Sequence, residues 1–438
     1  MSTMLQLPDE TRVGSYFVSN YPPYSQWSPD QVPEFEAALA QPSAPGPLGL
    51  YVHIPFCRQR CSYCYFRIHV RRPQHPEVEQ YIDAVINEAA VYAAVPAVAG
   101  RTLANVYLGG GTPTHLTTSQ IERLFGTLRR LFDWTAADEV TCECQPGTCE
   151  QDKLAALKRM GVTRASIGVQ TFTDAVLRGV GRAAGVGDCL HTFDLARRTR
   201  FEQVNIDLMA GLPGETEQSW HQTIERTASL GPDCVTIYQF ELTHNSLLNK
   251  AIQAGRKADL PSWPEKRRWV RHAFEYLSAR GYAVYGAYWA VRDPARHRFA
   301  YVTDHYWRGH DLLALGESSF GSLHHFHYQN VDTYDAYTAA CSDHRLPLWR
   351  AYRMNDEERL RRQFILQLKT GCVNIEQLQE SFGVDIASRL AEPLNMLRDN
   401  GMLTWDSQSV QLTSEGLLSV DWLLPQFYLP QHVGIRYT

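Results

Sequence analysis

The 438-residue chain has a formal charge of -5 and is 44% hydrophobic and 20% charged, a composition that excludes a disordered protein and gives length for two or three domains. No stretch approaches the roughly 20 apolar residues of a membrane span, the start "MSTMLQLPDETRVGSY" lacks the basic and apolar regions of a signal peptide, and the negative balance leaves no footprint for nucleic acid. A cytoplasmic monomer acting on a small molecule is expected, and in that reducing compartment ten cysteines point to metal binding or catalysis rather than disulfides.

Residues 1–47 read as an arm rich in proline, serine and aromatics, with one short helix near Val32 to Ala40 and a linker marked by Pro42, Pro45 and Pro47. From residue 48, apolar or alternating runs predict strands at 48–55, 105–111, 139–146, 164–170, 203–211 and 234–242. Helices lie between them, as at Thr117 to Phe132, where Thr117 and Gln120 make a capping box. Such alternation implies parallel βαβ units. Six units over residues 48–250 make an α/β fold, either a partial (β/α)6 barrel of the TIM type or an open doubly wound sheet. In both, functional residues belong at the C-terminal strand ends.

Residues 251–348 carry more strand-like, aromatic runs ("GYAVYGAYWAV", "AYVTDHYW", "HHFHYQN"), expected to extend the sheet and cover its mouth on the substrate side. Residues 349–438 follow as a small α+β domain. Helices at Asp356 to Thr370, Asn374 to Phe382 and Ile386 to Asn400, then a hairpin of "MLTW" and "SVQLT", give a winged-helix order. Its 8 Lys and Arg against 11 Asp and Glu over residues 351–438 leave a net of -3, which argues against duplex binding.

"YVHIPFCRQRCSYCYF" places Cys57, Cys61 and Cys64 on a loop after the first strand. Zinc, with His53 or His69 as a fourth ligand, is one reading of C-x3-C-x2-C, although structural zinc sites usually bring two separated cysteine pairs. A 4Fe–4S cubane normally takes four thiolates, so three leave one iron open to a small molecule. "TCECQPGTC", with Cys142, Cys144 and Cys149, lacks such a loop spacing and is the weaker candidate. "GGGTP" (Gly109 to Pro113) ends the second strand, where residues without side chains let backbone approach a ligand. Glu143 ends the third, where a carboxylate can accept ribose hydroxyls. Arg182 has the fork that suits a carboxylate.

C-x3-C-x2-C after the first strand resembles the radical S-adenosylmethionine (SAM) superfamily, and "YVHIPFC…CSYC.F" its oxygen-independent coproporphyrinogen III oxidase-like branch. The likeness recurs strand by strand over nearly the whole chain. It implies that Cys57, Cys61 and Cys64 hold a 4Fe–4S cluster whose fourth iron is chelated by SAM, which splits to a 5′-deoxyadenosyl radical. By the same resemblance Tyr51 stacks near the first SAM, and Gly110, Gly111 and Thr112 meet its amino group. Glu143, Gln170 and Arg182 hold its ribose and carboxylate. Asp207, in "NIDLMAGLPGET", stands between the SAM and the substrate side. The electron donor it implies is a flavodoxin or ferredoxin.

Two departures bear on the reaction. The arm keeps Ser19, Asn20, Tyr21 and Pro22 of the oxidase's "RYTSYPT"-like segment but not its arginine. Cys64 is followed by Tyr65 and Phe66, where the oxidase has Gly-Cys and the heme-chaperone relatives, which lack the arm, have Asp-Phe. The mixture resembles the branch's two-SAM group, so methyl or methylene transfer to an unsaturated substrate (C-methylation or cyclopropanation) is the favoured expectation. Oxidative decarboxylation of coproporphyrinogen III and heme handling are the alternatives. Tyr21, Tyr238 and Gln239 are the candidate substrate contacts.

Overall fold

The computed structural model describes residues 5–14, 16–43 and 46–435; Pro45 of the expected linker and the first residues of the arm lie outside them. Trp27–Asp207 with Phe299–Arg353 form one compact unit, and Met1–Gln26, Leu208–Arg298 and Met354–Thr438 another. Each draws on stretches far apart in sequence, so the units cut across the four sequential segments read from composition.

The expected strands form at β1 (Leu48–Ile54), β2 (Leu103–Gly110), β3 (Glu139–Cys144), β4 (Arg164–Gln170), β5 (Gln203–Ala210) and β6 (Cys234–Gln239). Beyond them come β7 (Ala283–Val284), β8 (Trp289–Val291), β9 (Asp311–Leu315), β10 (Phe320–Leu323), β11 (Phe326–Asn330) and β12 (Leu348–Arg353). In the first unit the sheet order is β12-β11-β10-β9-β1-β2-β3-β4-β5. β9, β1, β2, β3 and β4 pair in parallel, and β10 to β12 continue antiparallel. In the second unit the end of β5 is followed by β6, β8 and β7.

This is the α/β partial barrel. β1 is central, and Leu48, Leu50, Val52 and Ile54, which share one face of it, are fully buried. The helix Thr118–Leu131 starts at the expected capping box. Thr117 Oγ1 accepts the Gln120 N–H at 3.2 Å, and Gln120 Oε1 accepts the Thr117 N–H at 2.8 Å. Ile121, Leu124, Phe125 and Leu128 are its buried face.

The run "AYVTDHYW" is not a strand. Ala300–Val302 is helical and Thr303–Trp307 a π-helical turn, packed against the N-terminal strand ends rather than the mouth. Asp304 accepts from Asn105 Nδ2 at 2.8 Å, Glu139 accepts the Ala300 N–H at 3.3 Å, and the His305 ring occupies the space beside Gly49. An extended backbone would aim successive side chains to opposite faces, whereas Asp304 and His305, next to each other in sequence, both meet the strand starts.

In the second unit the helix Asp356–Leu368 and strand β13 (Cys372–Asn374) precede the helix Ile375–Phe382, and the hairpin β14 (Leu403–Trp405) and β15 (Ser409–Leu412) closes the winged-helix order. β15 pairs with both β13 and β14, so the hairpin is part of a three-stranded sheet. The expected helix Ile386 to Asn400 is broken at Leu390 into Ile386–Arg389 and Ala391–Asp399. Pro393 has no N–H to give to the Arg389 carbonyl, so the helix restarts. No helix of the described residues is long and apolar enough to cross a membrane.

The arm up to Gln26 is packed within the same unit. Lys369 Nζ donates to the Val18 carbonyl at 2.6 Å and sits 3.7 Å from the Phe17 ring centroid. Tyr21 is fully buried; its hydroxyl accepts the Leu429 N–H at 3.0 Å and pairs with His432 Nδ1 at 2.8 Å. Tyr21→Ala is expected to cost about 3–5 kcal/mol of stability, measured by urea unfolding; an unchanged midpoint would show the arm to be dispensable.

Candidate active site

Register determines which residues meet. Pairing of β1 with β2 sets Tyr51 opposite Tyr107 and Ile54 opposite Gly110, and pairing of β3 with β4 sets Glu143 opposite Ser166. The expected site residues of the first unit therefore gather at the C-terminal edge of the parallel strands.

Cys57 lies just beyond β1 and is buried; Cys61 and Cys64 are partly exposed. Their loop is tied to neighbouring turns. The Ser62 N–H donates to Val180 O at 2.9 Å, Gln59 Nε2 to Gly181 O at 2.8 Å and Arg58 Nη1 to Gly147 O at 2.8 Å. Burial, reinforced by the other cysteines, pushes Cys57 up to about 12 and Cys64 up to about 11, so the three thiols lie within electrostatic reach of one another. Metal ions bind thiolate and release its proton, and a cation stands ready beside it. Burial works against the charge of Arg182, but Tyr63, Cys61 and Cys189 around it hold its pKa above the ordinary value. Its Nε is buried without a hydrogen-bond partner. No ready-made metal-holding group of His, Cys, Asp or Glu forms among the described residues, but three thiols on one loop, a guanidinium and an unused donor have the chemistry that an anionic iron–sulfur cluster with a carboxylate ligand calls for.

The glycine turn is filled by protein on both sides. A Cβ at Gly110 (φ +106°) would lie 2.5 Å from the His53 ring, and one at Gly111 would lie 2.9 Å from the Ile54 carbonyl. Thr112 Oγ1 sits 3.2 Å from Cys57 Sγ and donates to Gln145 Oε1 at 2.5 Å. His53 Nδ1 meets the Tyr51 hydroxyl at 2.9 Å, and burial lowers its pKa to about 4, leaving a neutral ring.

Glu143 is half-buried. Its Oε1 accepts from the Tyr107 hydroxyl at 2.8 Å and its Oε2 from the Gly110 N–H at 3.2 Å. Burial pushes its pKa up to about 7, against the pull of the Tyr107 hydrogen bond. Gln170 has a left-handed backbone (φ 71°), a conformation that costs a non-glycine residue roughly 1–3 kcal/mol and recurs at functional sites. Its Nε2 and Arg182 Nη2 converge over Gly168, 3.2 and 3.6 Å from where a Cβ would stand. Asp207 accepts from Ser166 Oγ at 2.9 Å and from Asn205 Nδ2 at 2.8 Å.

The substrate candidates belong to the second unit, where all three make interior contacts. Tyr21 is core, as described. Tyr238 packs 6.0 Å from Phe17 and 5.7 Å from Tyr288, centroid to centroid. Gln239 Nε2 donates to Leu418 O at 2.8 Å. Sequence reasoning named His53 only as a possible zinc ligand and assigned no supporting role to Tyr63, Tyr107, Ser166 or Asn205. Strand alternation was the available signal, since His53 and Asn205 each lie two residues from a chosen residue and so face the same way.

Comparison with known proteins first defines the class: residues 51–227 match the radical SAM superfamily, and residues 354–419 the HemN C-terminal domain. The oxygen-independent coproporphyrinogen III oxidase of Escherichia coli (strain K12) is 31% identical over 390 residues, spanning 85% of this chain and 84% of that protein. The heme chaperone HemW of Bacillus subtilis (strain 168) is 26% identical over 372 residues, spanning 84% and 96%. The solved structure of the Escherichia coli coproporphyrinogen III oxidase (HemN) matches with a TM-score of 0.82 at 29% identity, covering 94% of this chain and 96% of that one.

The chain belongs to the oxygen-independent coproporphyrinogen III oxidase family of the radical SAM superfamily. It is a radical SAM enzyme, with a 4Fe–4S cluster and SAM as cofactors. These relatives give no support to the methyl- and methylene-transferring group favoured from sequence; they favour its stated alternative.

Gly110→Ala, which would push a Cβ into the His53 ring at a left-handed backbone position, is expected to lower the melting temperature and SAM cleavage together. Gly126→Ala, with only Arg130 Nη1 at 3.8 Å, should leave both near wild type. Equal behaviour of the two variants would contradict this account of the turn.

Proposed function

We propose that the protein carries out oxygen-independent oxidative decarboxylation of coproporphyrinogen III, turning propionate side chains into vinyl groups with release of carbon dioxide. The observation that carries this reading is coverage: the oxidase structure pairs with 94% of this chain and 96% of its own. By sequence the oxidase and the heme chaperone span nearly equal shares of this chain, 85% and 84%, and identity favours the oxidase, 31% against 26%. The arm, which the chaperones lack, is here built into a folded unit.

In this reading Cys57, Cys61 and Cys64 would hold the cluster, with electrons from a flavodoxin- or ferredoxin-like donor. When bound, the cluster and SAM would supply a 5′-deoxyadenosyl radical to take one hydrogen atom from the propionate chain; carbon dioxide would then leave and the remaining electron would pass to a one-electron acceptor. The chain's own residues position the partners. Gln170 and Arg182, converging over Gly168, would bind the SAM carboxylate, a match of guanidinium fork to carboxylate. Glu143, aimed by Tyr107 and Gly110, would accept the ribose hydroxyls. Asp207, fixed by Asn205 and Ser166, would stand towards the substrate and a second SAM.

Phe66, which the chaperones' Asp-Phe pair also provides, favours a second reading as a heme-handling protein. Anaerobically reconstituted protein given SAM, reductant and coproporphyrinogen III should release carbon dioxide and a vinyl product without S-adenosylhomocysteine, read by mass spectrometry. S-adenosylhomocysteine with a methylated product would overturn the reading in favour of carbon transfer, and stoichiometric heme binding without SAM turnover would make the protein a carrier.

The Glu143 carboxyl, with its pKa near about 7, loses its proton as pH rises and becomes the better acceptor. SAM affinity should therefore strengthen between about pH 6 and 8, and Glu143→Gln should flatten that profile; an identical profile in the variant would remove Glu143 from the SAM site.

A further inference from the structure

We infer that Tyr65 and Phe66 form a stacking platform for the pyrrole faces of a carboxylate-bearing tetrapyrrole and so set which substrate the site accepts. This rests on the proposed substrate class. The two rings stack on one another, 4.6 Å apart at 25°, and are 43% and 37% exposed. Of the seven large hydrophobic side chains exposed among the described residues, three (Tyr65, Phe66 and Val70) fall in this one loop. Exposed aromatic surface costs hydration free energy until something covers it, and clustered exposure marks a binding face.

Position says what covers it. The Phe66 ring lies 6.3 Å from His53, whose own ring fills the space over Gly110, and Tyr65 is within electrostatic reach of Tyr51. The pair therefore stands beside the strand ends that carry the SAM contacts, where the reacting part of a substrate must come.

Charge says what kind of molecule. Residues 57–72 contain five arginines and no acidic residue. Arg67 pairs with Asp332 and Arg71 with Glu77, while Arg58, Arg60 and Arg72 make no ion pair among the described residues. Aromatic faces rimmed by unneutralised guanidinium groups complement a molecule with π-faces inside and carboxylates outside. An acidic electron-carrier protein would meet the same charges, but the inward position of Phe66, against His53, favours the small molecule.

Coproporphyrin III, the fluorescent oxidised form, serves as probe with the reconstituted full-length protein. Tyr65→Ala and Phe66→Ala are each expected to weaken its binding by about tenfold, and Tyr65→Phe by less than about twofold. Iron content per chain reports that each variant is folded and loaded. Alanine variants that bind as tightly as wild type, or a wild type that does not bind, would overturn the platform. So would slowed reduction of the cluster by flavodoxin with unchanged probe affinity, which would assign the pair to a protein donor. A wild type that binds the probe through Tyr65 and Phe66 yet leaves coproporphyrinogen III intact would end the proposed reaction and leave the platform standing.

Discussion

The parallel register of β1 is the constraint on which the site depends. With Ile54 opposite Gly110 and Val52 opposite Leu315, β1 is flanked on both sides by strands running the same way. The loop that leaves it must therefore emerge at the edge where the glycine turn and Glu143 also end. A one-residue slip would carry Tyr51 and His53 to the opposite face. The fully buried Leu50, Val52 and Ile54 oppose that slip, because it would turn apolar side chains out of the core. Packing of the strand and placement of the cysteines are thus one property.

Neighbours hold the carboxylates and His53 at that edge, while the buried Arg182 Nε is left for a ligand. Tyr107 and the Gly110 N–H aim Glu143, Ser166 and Asn205 aim Asp207, and Tyr51 meets His53. Electrostatic work in a low-dielectric site depends on such preorganisation. Burial keeps Cys57, Cys64 and Glu143 towards their neutral forms, while Arg182 keeps its charge. Burial alone penalises negative charge there, and the Arg182 guanidinium is what offsets that penalty for a thiolate-bound metal or a carboxylate.

Strands and loop positions were legible because each is written locally. Parallel strands buried on both faces are short apolar runs, and the cysteines, the glycine triplet and the acidic residues follow such runs. What needed the structure is what depends on distant partners. "AYVTDHYW" has strand-like composition, but Asn105 and Gly49, some 200 residues earlier, decide its helical turn. Tyr21 looked like a substrate contact because the arm was read as a cover, whereas His432 and Leu429 make it core. The break at Leu390 has a local signal in Pro393, which cannot donate to the Arg389 carbonyl. The pairings of Glu143 with Tyr107 and of Asp207 with Ser166 required knowing which strands are neighbours.

The central claim is that Cys57, Cys61 and Cys64 hold a cubane with one iron open to SAM. Electron paramagnetic resonance of the reduced, reconstituted protein tests it most directly. A 4Fe–4S signal that shifts when SAM is added, and that is lost on replacing any of the three cysteines but kept on replacing Cys142, Cys144 or Cys149, is the predicted result. A signal indifferent to SAM, or one that survives Cys61→Ala and disappears with Cys144→Ala, would contradict it.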